Sequence, residues 1–308
     1  MERLKKPAFV FAIAVLCNFL WGSAVPMVKI GYGWFAIDAA DTATQLLFAG
    51  VRFSLAGLLV IGLGSLMRRT VLVPKGTQLP QIGLVALFQT VGQYLFYYIG
   101  VAHTTGVKAS IVIAMNTFLI ILLSVFVFRM EKMTKKKLIG CILGFVGVVL
   151  INLSSKNSLD LQVSLLGEGF VFFAQISYAF SCVVMKKFSS KQDPMLLSGY
   201  QFFFGGLVLA LIGLITGGSL IVWNVKNILL LTYLAMVSGV AFSLWSLLLK
   251  HNPVSKVVIY GFLAPLFGVI MSAIVLGEGS EAFSLRGLVA LILVCSGVLV
   301  VNTGGSHD

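Results

Sequence analysis

Two lysines at matching positions are the residues whose charge and spacing could act on a solute. Lys108 and Lys256 each open a long apolar run, and His103 and His251 precede them in short segments. A pair of ammonium groups at the two mouths of a cavity would attract anionic or carboxylate-bearing solutes. The alternative is that both lysines are interfacial anchors solvated by lipid headgroups. The two histidines are expected to be solvated, although titration near neutral pH could let them take up and release protons.

Arg52 is a third charge, and it lies inside an apolar run. A charge within lipid is costly, so its side chain is not expected to face the acyl chains. Its long side chain could reach back toward Asp38 or Asp41 and anchor its helix to the preceding acidic loop. Alternatively, it could reach a water-filled cavity. Gln201 occupies the matching place in the second half of the chain, which indicates a polar requirement at both positions.

Aromatic and amide side chains deep in the apolar runs could frame a site for a small amphipathic ligand. Packing between helices is the alternative for both classes. The candidate substrate-binding residues are Trp21, Tyr94, Tyr97, Asn116, Tyr178, Trp245 and Tyr260, together with Arg52, Lys108 and Lys256. No catalytic residue, metal ligand or cofactor is predicted, because no apolar run combines histidine with a carboxylate and the four cysteines lack paired spacing.

Glu131 and Glu278 occupy corresponding places, after one apolar run and just before the next. Either carboxylate could be a proton site. However, a carboxylate ahead of a helix N-terminus stabilises the helix dipole. We therefore expect each of them to cap the helix that follows it.

The composition indicates that lipid solvates this chain. Charged residues make up 10% of the sequence, hydrophobic residues 59%, and the mean hydropathy is +1.04, whereas about a quarter of a soluble domain is charged. Apolar runs of about 17 to 25 residues can cross a bilayer as helices, and these runs do not alternate as barrel strands would. They are predicted at 8–28, 45–66, 79–101, 106–128, 137–153, 164–185, 195–216, 228–249, 254–276 and 285–302. The expected fold is an all-α polytopic membrane protein with ten transmembrane helices.

The net charge of +12 could suggest a nucleic-acid partner, but the distribution of the charge does not. Most of the 22 Lys and Arg residues fall in segments on the side of the predicted membrane that holds the N terminus. This bias is typical of cytoplasmic loops. We therefore expect an integral protein of a bacterial plasma membrane with both termini in the cytoplasm, and no nucleic-acid partner.

The chain contains two copies of one pattern, at a nearly constant offset. Matching positions include Arg52-Phe53 with Gln201-Phe202, Gly57-Leu58 with Gly206-Leu207, Gly140 with Gly287 and Asn152 with Asn302. Five helices are an odd number, so the second copy would begin on the opposite side of the membrane. The sequence thus predicts two inverted five-helix repeats, at 8–153 and 163–302. Inverted repeats typically hold a substrate site between them and alternate its access to the two sides.

The ordered motifs resemble the EamA-like permeases of the drug/metabolite transporter superfamily over nearly the whole chain. The motifs are Leu20-Trp21-Gly22-Ser23 with Pro26 and Lys29, Arg52-Phe53 with Ala56-Gly57, the block from Ala264-Pro265 to Gly277-Glu278, and its first copy at Glu131, Thr134 and Gly140. Phe118 stands where such families usually carry proline, so helix 4 is expected to be straighter than helix 9. The resemblance implies two EamA-like repeats and a central cavity lined by helices 1, 3, 4, 6, 8 and 9.

The resemblance also implies the function. We expect a secondary active transporter, not an enzyme, that exports small organic metabolites such as amino acids by alternating access. Its partners would be the lipid bilayer and a small-molecule substrate, with protons or a counter-substrate as coupling partner; the oligomeric state stays open. An anion or sugar-phosphate exchanger using Lys108 and Lys256 is a second candidate, because a branch that carries phosphorylated sugars uses basic residues in these helices. A non-transporting membrane scaffold or receptor is the candidate from another class.

Overall fold

The fold is entirely helical in the part of the chain that the structure, a computed structural model, describes: residues 6–130, 132–152, 163–189, 192–252, 257 and 259–303. We number its long helical stretches α1 to α10. They are α1 (Pro7–Trp34), α2 (Thr42–Arg68), α3 (Gly76–Ala102), α4 (Gly106–Val127), α5 (Lys135–Ile151), α6 (Leu165–Gly169 continuing as Phe170–Ser189), α7 (Pro194–Ile215), α8 (Val225–His251), α9 (Ile259–Phe262 continuing as Leu263–Val275) and α10 (Leu285–Thr303). A single turn of helix, Gly279–Ala282, links α9 to α10.

Eight of these helices are long and apolar enough to cross a membrane: α1 to α4, α6 to α8 and α10. The apolar part of α9 is shorter, at Tyr260–Val275, and α5 has 17 residues and begins with three lysines. Large apolar side chains such as Ile142, Leu214 and Ile292 are exposed on the outside of the bundle, as expected for a surface that lipid solvates. The all-helical prediction is confirmed, whereas ten spans remain a prediction.

The two ends of the bundle can be named after the ends of α1. At the Trp34 end, Asn227 near the start of α8 donates a hydrogen bond to the carbonyl of Trp34, at 3.1 Å. At the opposite Pro7 end, Arg68 at the end of α2 forms an ion pair with Asp193, just before α7. Consecutive long helices therefore alternate in direction between the two ends.

Two helix pairs form the closest contacts of the bundle, α2 with α7 and α5 with α10. A Cβ atom on Gly50 of α2 would collide with the backbone of Ala210 on α7. Likewise, a Cβ atom on Gly140 of α5 would lie 2.7 Å from the carbonyl oxygen of Gly297 on α10. Apolar side chains gain little by leaving lipid for another helix, so close backbone approach through small residues stabilises such pairs.

Other helices pack on helices from the opposite half of the sequence. α1 packs on α8 and α9, which belong to the second half, while α6 packs on α3 and α4 of the first half. A continuous core of buried side chains, including Phe48, Phe53, Tyr98, Phe202 and Leu234, joins helices from both halves. The region between α1 and α6 is therefore bounded by both halves of the chain.

Two of these helices are irregular where they approach this region. α3 contains a π-helical stretch at Ala86–Gly92, a feature that is frequent at functional sites. α4 is interrupted at Ala114, where the N–H of Thr117 bonds back to the Ala114 carbonyl. In α9, Pro265 lies in the first turn of Leu263–Val275, where a missing N–H costs no helical hydrogen bond. The interruption within α4 thus needs no proline, and the expectation that α4 is straighter than α9 stays a prediction.

The α2–α7 contact yields a test of stability. Gly50→Ala should lower the unfolding free energy by about 1–3 kcal/mol, the usual cost of overpacking a close contact. The matched control is Gly62→Ala on the same helix, because no atom lies within 4 Å of the Cβ position there. Thermal unfolding of the purified protein in detergent should show a lower midpoint for Gly50→Ala alone. Equal midpoints for the two variants would contradict the packing argument.

Candidate functional site

A cavity of about 230 Å³ lies in the middle of the bundle. Its lining comes from α1, α3, α4, α6, α8 and α9, with Arg52 from α2 and Val298 from α10 added. These are the six helices that the family resemblance implies. Pockets for drug-sized ligands begin at roughly 300 Å³, so this cavity suits a smaller solute.

Aromatic rings form two walls of the cavity. On one side, Trp21 of α1 meets Phe242 and Trp245 of α8 edge to face, with ring centroids 5.9 Å and 5.2 Å apart. On another side, Tyr94 and Tyr97 of α3 lie edge to face at 5.6 Å, and Tyr178 of α6 also lines the space. Such walls present rigid apolar faces to a ligand.

Arg52 lines the cavity, and the residue as a whole is only 2% exposed. Its Nε donates to the Leu234 carbonyl at 3.1 Å, Nη1 to the Tyr98 hydroxyl at 2.7 Å and Nη2 to the Ser238 hydroxyl at 3.3 Å. Its Cζ also lies 4.8 Å from the centroid of the Phe53 ring. All four partners are uncharged. Arg52 therefore brings a full positive charge to the cavity with no carboxylate beside it.

The anchoring alternative for Arg52 is wrong. The Asp38 carboxylate accepts a hydrogen bond from the Ala40 N–H, and the Asp41 carboxylate caps α2 by accepting from the Thr44 N–H. Neither contacts Arg52, which points toward the middle of the bundle because Tyr98 and Ser238 supply oxygen acceptors there.

Two amide oxygens of residues that line the cavity have no hydrogen-bond donor in the part of the chain that the structure describes. They are Oδ1 of Asn18 on α1 and Oε1 of Gln93 on α3, in residues that are 1% and 8% exposed. The Asn18 amide nitrogen donates to the Ala14 carbonyl at 2.7 Å. A buried acceptor without a donor costs free energy, so a solute donor that reached either oxygen would relieve that cost.

Glu278 closes the bundle at its Trp34 end. Its two carboxylate oxygens accept hydrogen bonds from the backbone N–H groups of Gly106 and Val107, at 3.0 Å and 2.9 Å. These are the first residues of α4, where a negative charge is favourable. Our expectation was right about capping but wrong about the helix, because Glu278 caps α4 across the bundle rather than the helix that follows it. Glu131 lies outside the described residues.

Further polar contacts join helices at the same end. The Lys29 ammonium of α1 donates to the carbonyls of Val101 and Thr104, at 3.2 Å and 2.5 Å. The Thr104 hydroxyl donates to the Glu168 carboxylate of α6 at 2.6 Å. The Lys108 ammonium lies 3.4 Å from the same carboxylate. Helices α1, α3, α4 and α6 are thereby connected beyond the cavity.

The structure brings together most of the predicted site residues. Trp21, Arg52, Tyr94, Tyr97, Asn116, Tyr178 and Trp245 all line the central cavity. Tyr260 is not part of that lining and packs edge to face on Phe11, at 5.6 Å. Lys108 lies apart, in an open depression at the Trp34 end that it shares with His103 and Glu168. Lys256 falls outside the described residues.

Sequence reasoning missed several polar lining residues. Asn18, Ser110, Thr117 and Ser238 all reach the cavity. The available signal was the presence of isolated polar residues within the apolar runs, since such residues need a polar partner inside the membrane. Among the residues that the structure describes, no three His, Cys, Asp or Glu side chains converge so that they could hold a metal ion.

The first comparison concerns protein families. The model described as "EamA-like transporter family" matches residues 8–153 and again residues 165–303. The two matches together cover nearly the whole described chain and both halves of the bundle.

Individual proteins give consistent matches. An uncharacterized transporter of Bacillus subtilis, YvbV, is 29% identical over 98% of this chain and 94% of its own length. A protein of Salmonella typhimurium named as a probable amino-acid metabolite efflux pump is 27% identical over 91% of both chains. A solved crystal structure with 18% identity covers 93% of this chain and 95% of its own, with a TM-score of 0.64. That likeness bears on the fold alone.

The contacts of Arg52 yield a test of the site's electrostatics. Tyr98→Phe removes a hydrogen bond to a charged group, which typically contributes about 1.5–3 kcal/mol to stability. Tyr32→Phe is the matched control, because the Tyr32 hydroxyl donates to the uncharged carbonyl of Tyr98 at 2.7 Å and such bonds contribute about 0.5–1.5 kcal/mol. Chemical or thermal unfolding should show the larger loss for Tyr98→Phe. A larger loss for Tyr32→Phe would contradict the importance of the Arg52 contact.

Proposed function

Because this chain belongs to the EamA-like transporter family, we propose that it is a secondary active transporter that exports small organic metabolites, such as amino acids, by alternating access. It is an integral membrane protein, as its family and its apolar helices require. The observation that carries the proposal is the central cavity, bounded by both halves of the chain and of a size for a small solute. The named activity of the Salmonella relative supports amino acids or their metabolites as the class to test first.

We propose that residues 8–153 and 163–302 form the two inverted repeats. The packing supports this, because α2 and α7 occupy the same place in the two repeats and pack on each other, as do α5 and α10. α1 packs on α8 and α9, and its counterpart α6 packs on α3 and α4. A two-fold axis between the halves would relate the packing of α1 on α8 and α9 to the packing of α6 on α3 and α4. Alternating access then follows when the halves exchange conformations.

The contacts at the Trp34 end of the bundle support a specific state in this cycle. At the Trp34 end, Glu278 holds the start of α4, while Lys29 and Glu168 connect the neighbouring helices. The sequence predicts that this end faces outward and that both termini are cytoplasmic. The contacts of Glu278 therefore belong to an outward-closed state, and their release would open a path from the cavity to the outside.

The second transporter candidate gains no support from these contacts. An exchanger of anions or sugar phosphates would use Lys108 and Lys256 as free ammonium groups. Lys108 lies beside the Glu168 carboxylate, outside the central cavity, and its charge is therefore partly compensated.

Counterflow tests the proposed function directly. Purified protein in vesicles preloaded with amino acids should accumulate the same labelled compounds, with and without a proton gradient. Trp21→Ala, which removes one cavity wall, should weaken apparent affinity by about tenfold, equivalent to about 1.4 kcal/mol. Trp223→Ala is the matched control, because Trp223 is exposed near the start of α8, away from the cavity.

The same assay separates the alternatives. Flux of phosphorylated sugars but not amino acids would favour the exchanger. No flux of any solute, from protein that is monodisperse and folded, would support the non-transporting scaffold or receptor instead.

The Glu278 contact predicts a gate that a mutation can open. Glu278→Ala removes two charge-assisted hydrogen bonds, so the outward-open state should gain population. Ser110 lines the cavity one turn beyond Gly106, and a cysteine introduced there, with the native cysteines replaced, reports access. An impermeant maleimide added to intact cells should label Ser110→Cys several times faster when Glu278→Ala is also present.

Glu281→Ala supplies the control for the gate. Glu281 lies in the short helix that directly follows Glu278, and its carboxylate oxygen Oε2 has no hydrogen-bond partner among the described residues. Labelling should therefore stay at the starting rate with Glu281→Ala. Equal labelling with Glu278→Ala and Glu281→Ala would show that the Glu278 cap does not control access.

A further inference from the structure

We propose that Arg52 binds the carboxylate of the solute, so that the cavity selects zwitterionic amino acids with an apolar side chain. This inference rests on the proposed function and names the chemical group by which that function selects its substrate. The evidence comes from the charge of Arg52, from the unpaired acceptors near it and from the walls of the cavity.

The charge argument starts from the neutral surroundings of Arg52. Its hydrogen-bond partners are one carbonyl and two hydroxyls, and the lining of the cavity, as far as the chain is described, contains no Asp or Glu. A buried charge without a counter-charge is costly. The guanidinium fork fits a carboxylate with two parallel hydrogen bonds. A solute carboxylate would supply the missing counter-charge.

Two other described cations of this chain have carboxylate partners, whereas Lys29 donates to two carbonyls and Lys226 lies over the Trp34 ring. Arg68 forms an ion pair with Asp193 at the Pro7 end, and Lys108 lies beside Glu168 at the Trp34 end. Arg52 is more deeply buried than either of them, with 2% exposure against 47% and 18% for their side chains. The most buried of the three charges is thus the one without a counter-charge, and it is the one that borders the cavity.

The unpaired acceptors complement the charge. Asn18 and Gln93 line the same cavity, and their buried amide oxygens have no donor among the described residues. Gln93 lies at a similar depth to Arg52, since each is about ten residues from the Trp34 end of its helix. An α-ammonium group has three donors and no acceptor, as the lysine ammonium does. A zwitterion would therefore satisfy Arg52 at one end and an amide oxygen at the other.

The aromatic walls of the cavity indicate which side chain the solute would carry, beside its carboxylate and its ammonium group. Trp21, Phe242 and Trp245 form one aromatic wall, and Tyr94 with Tyr97 forms another. An apolar side chain gains free energy by leaving water for such surfaces. A second carboxylate would lack a cation in the described lining. The cavity thus suits neutral, apolar amino acids better than acidic ones.

Binding measurements can isolate the carboxylate. The probes are L-leucine and two analogues that keep its amine and its apolar chain. L-leucine methyl ester masks the carboxylate, and isoamylamine lacks it. Purified wild-type protein in detergent should bind L-leucine at least tenfold more tightly than either analogue, as measured by competition or by intrinsic tryptophan fluorescence. In Arg52→Gln this ratio should fall to about one, because affinity for L-leucine drops while affinity for the ester changes little.

Two further variants separate recognition from structure. Arg52→Lys keeps the charge without the bidentate fork, so it should retain a reduced preference for L-leucine; it also serves if Arg52→Gln does not fold. Gln201→Leu changes the matching position of α7, which does not line the cavity, and should keep the wild-type ratio. A purely structural role for Arg52 would lower affinity for all three probes equally.

The outcomes distinguish this inference from the proposed function. If vesicles transport metabolites but the wild type binds L-leucine and its ester equally, the role of Arg52 is refuted and the transporter stands. The same holds if Arg52→Gln and Arg52→Lys both keep the wild-type ratio. If no solute crosses the vesicles, the transporter is refuted, while the binding ratio still decides whether Arg52 recognises a carboxylate.

Discussion

The hydrocarbon of a bilayer offers no hydrogen bonds, and this constraint governs the structure. Backbone groups must be satisfied within helices, and helices associate through close contacts such as Gly140 with Gly297 rather than through a hydrophobic effect. Polar side chains must then pair with each other, as Thr90 does with Gln201, or lie where water or a solute can reach them. Asn18, Arg52 and Gln93 do collect there, around one cavity in the middle of the bundle.

Irregular stretches within helices help to direct polar side chains toward the cavity. In α3 the π-helical stretch Ala86–Gly92 precedes Gln93 and Tyr94, and both of these side chains reach the cavity. In α4 the interruption at Ala114 precedes Asn116 and Thr117, which also reach it. A regular helix would rotate the following side chains by a fixed angle per residue, whereas an inserted or tightened turn re-aims them. Local departures from ideal geometry thus determine which polar groups a solute would meet.

Much of this arrangement was readable from the sequence, because depth in a membrane follows from position along an apolar run. Trp21, Tyr94 and Tyr178 were chosen as deep aromatic residues, and all three line the cavity. Direction around the helix axis was less readable. The apolar runs are hydrophobic on every side, so the pattern did not show that Tyr260 packs on Phe11 instead. The sequence also did not show where the Arg52 side chain points, since it is long enough to reach either the acidic loop before α2 or the cavity.

Contacts between distant segments were not readable at all. Glu278 was expected to cap the helix next to it, because sequence adjacency is the only proximity that a single chain displays. Its actual partners are Gly106 and Val107 in the other half. The ten spans, their inversion and the position of Lys256 stay predictions, while the all-helical membrane fold and the family are established.

The Glu278 contact is made to main-chain amides, and this has an evolutionary consequence. Natural variation can replace the side chain of Val107 without weakening the cap, because every residue except proline presents the same N–H. Gly106 is less free, since a Cβ there would lie 2.5 Å from the Ser272 hydroxyl and 2.8 Å from a Leu276 methyl. In proteins that descend from this chain, the Glu278 contact would therefore be weakened or strengthened mainly by substitution of Glu278 itself. The residues that line the central cavity could then change without altering this contact.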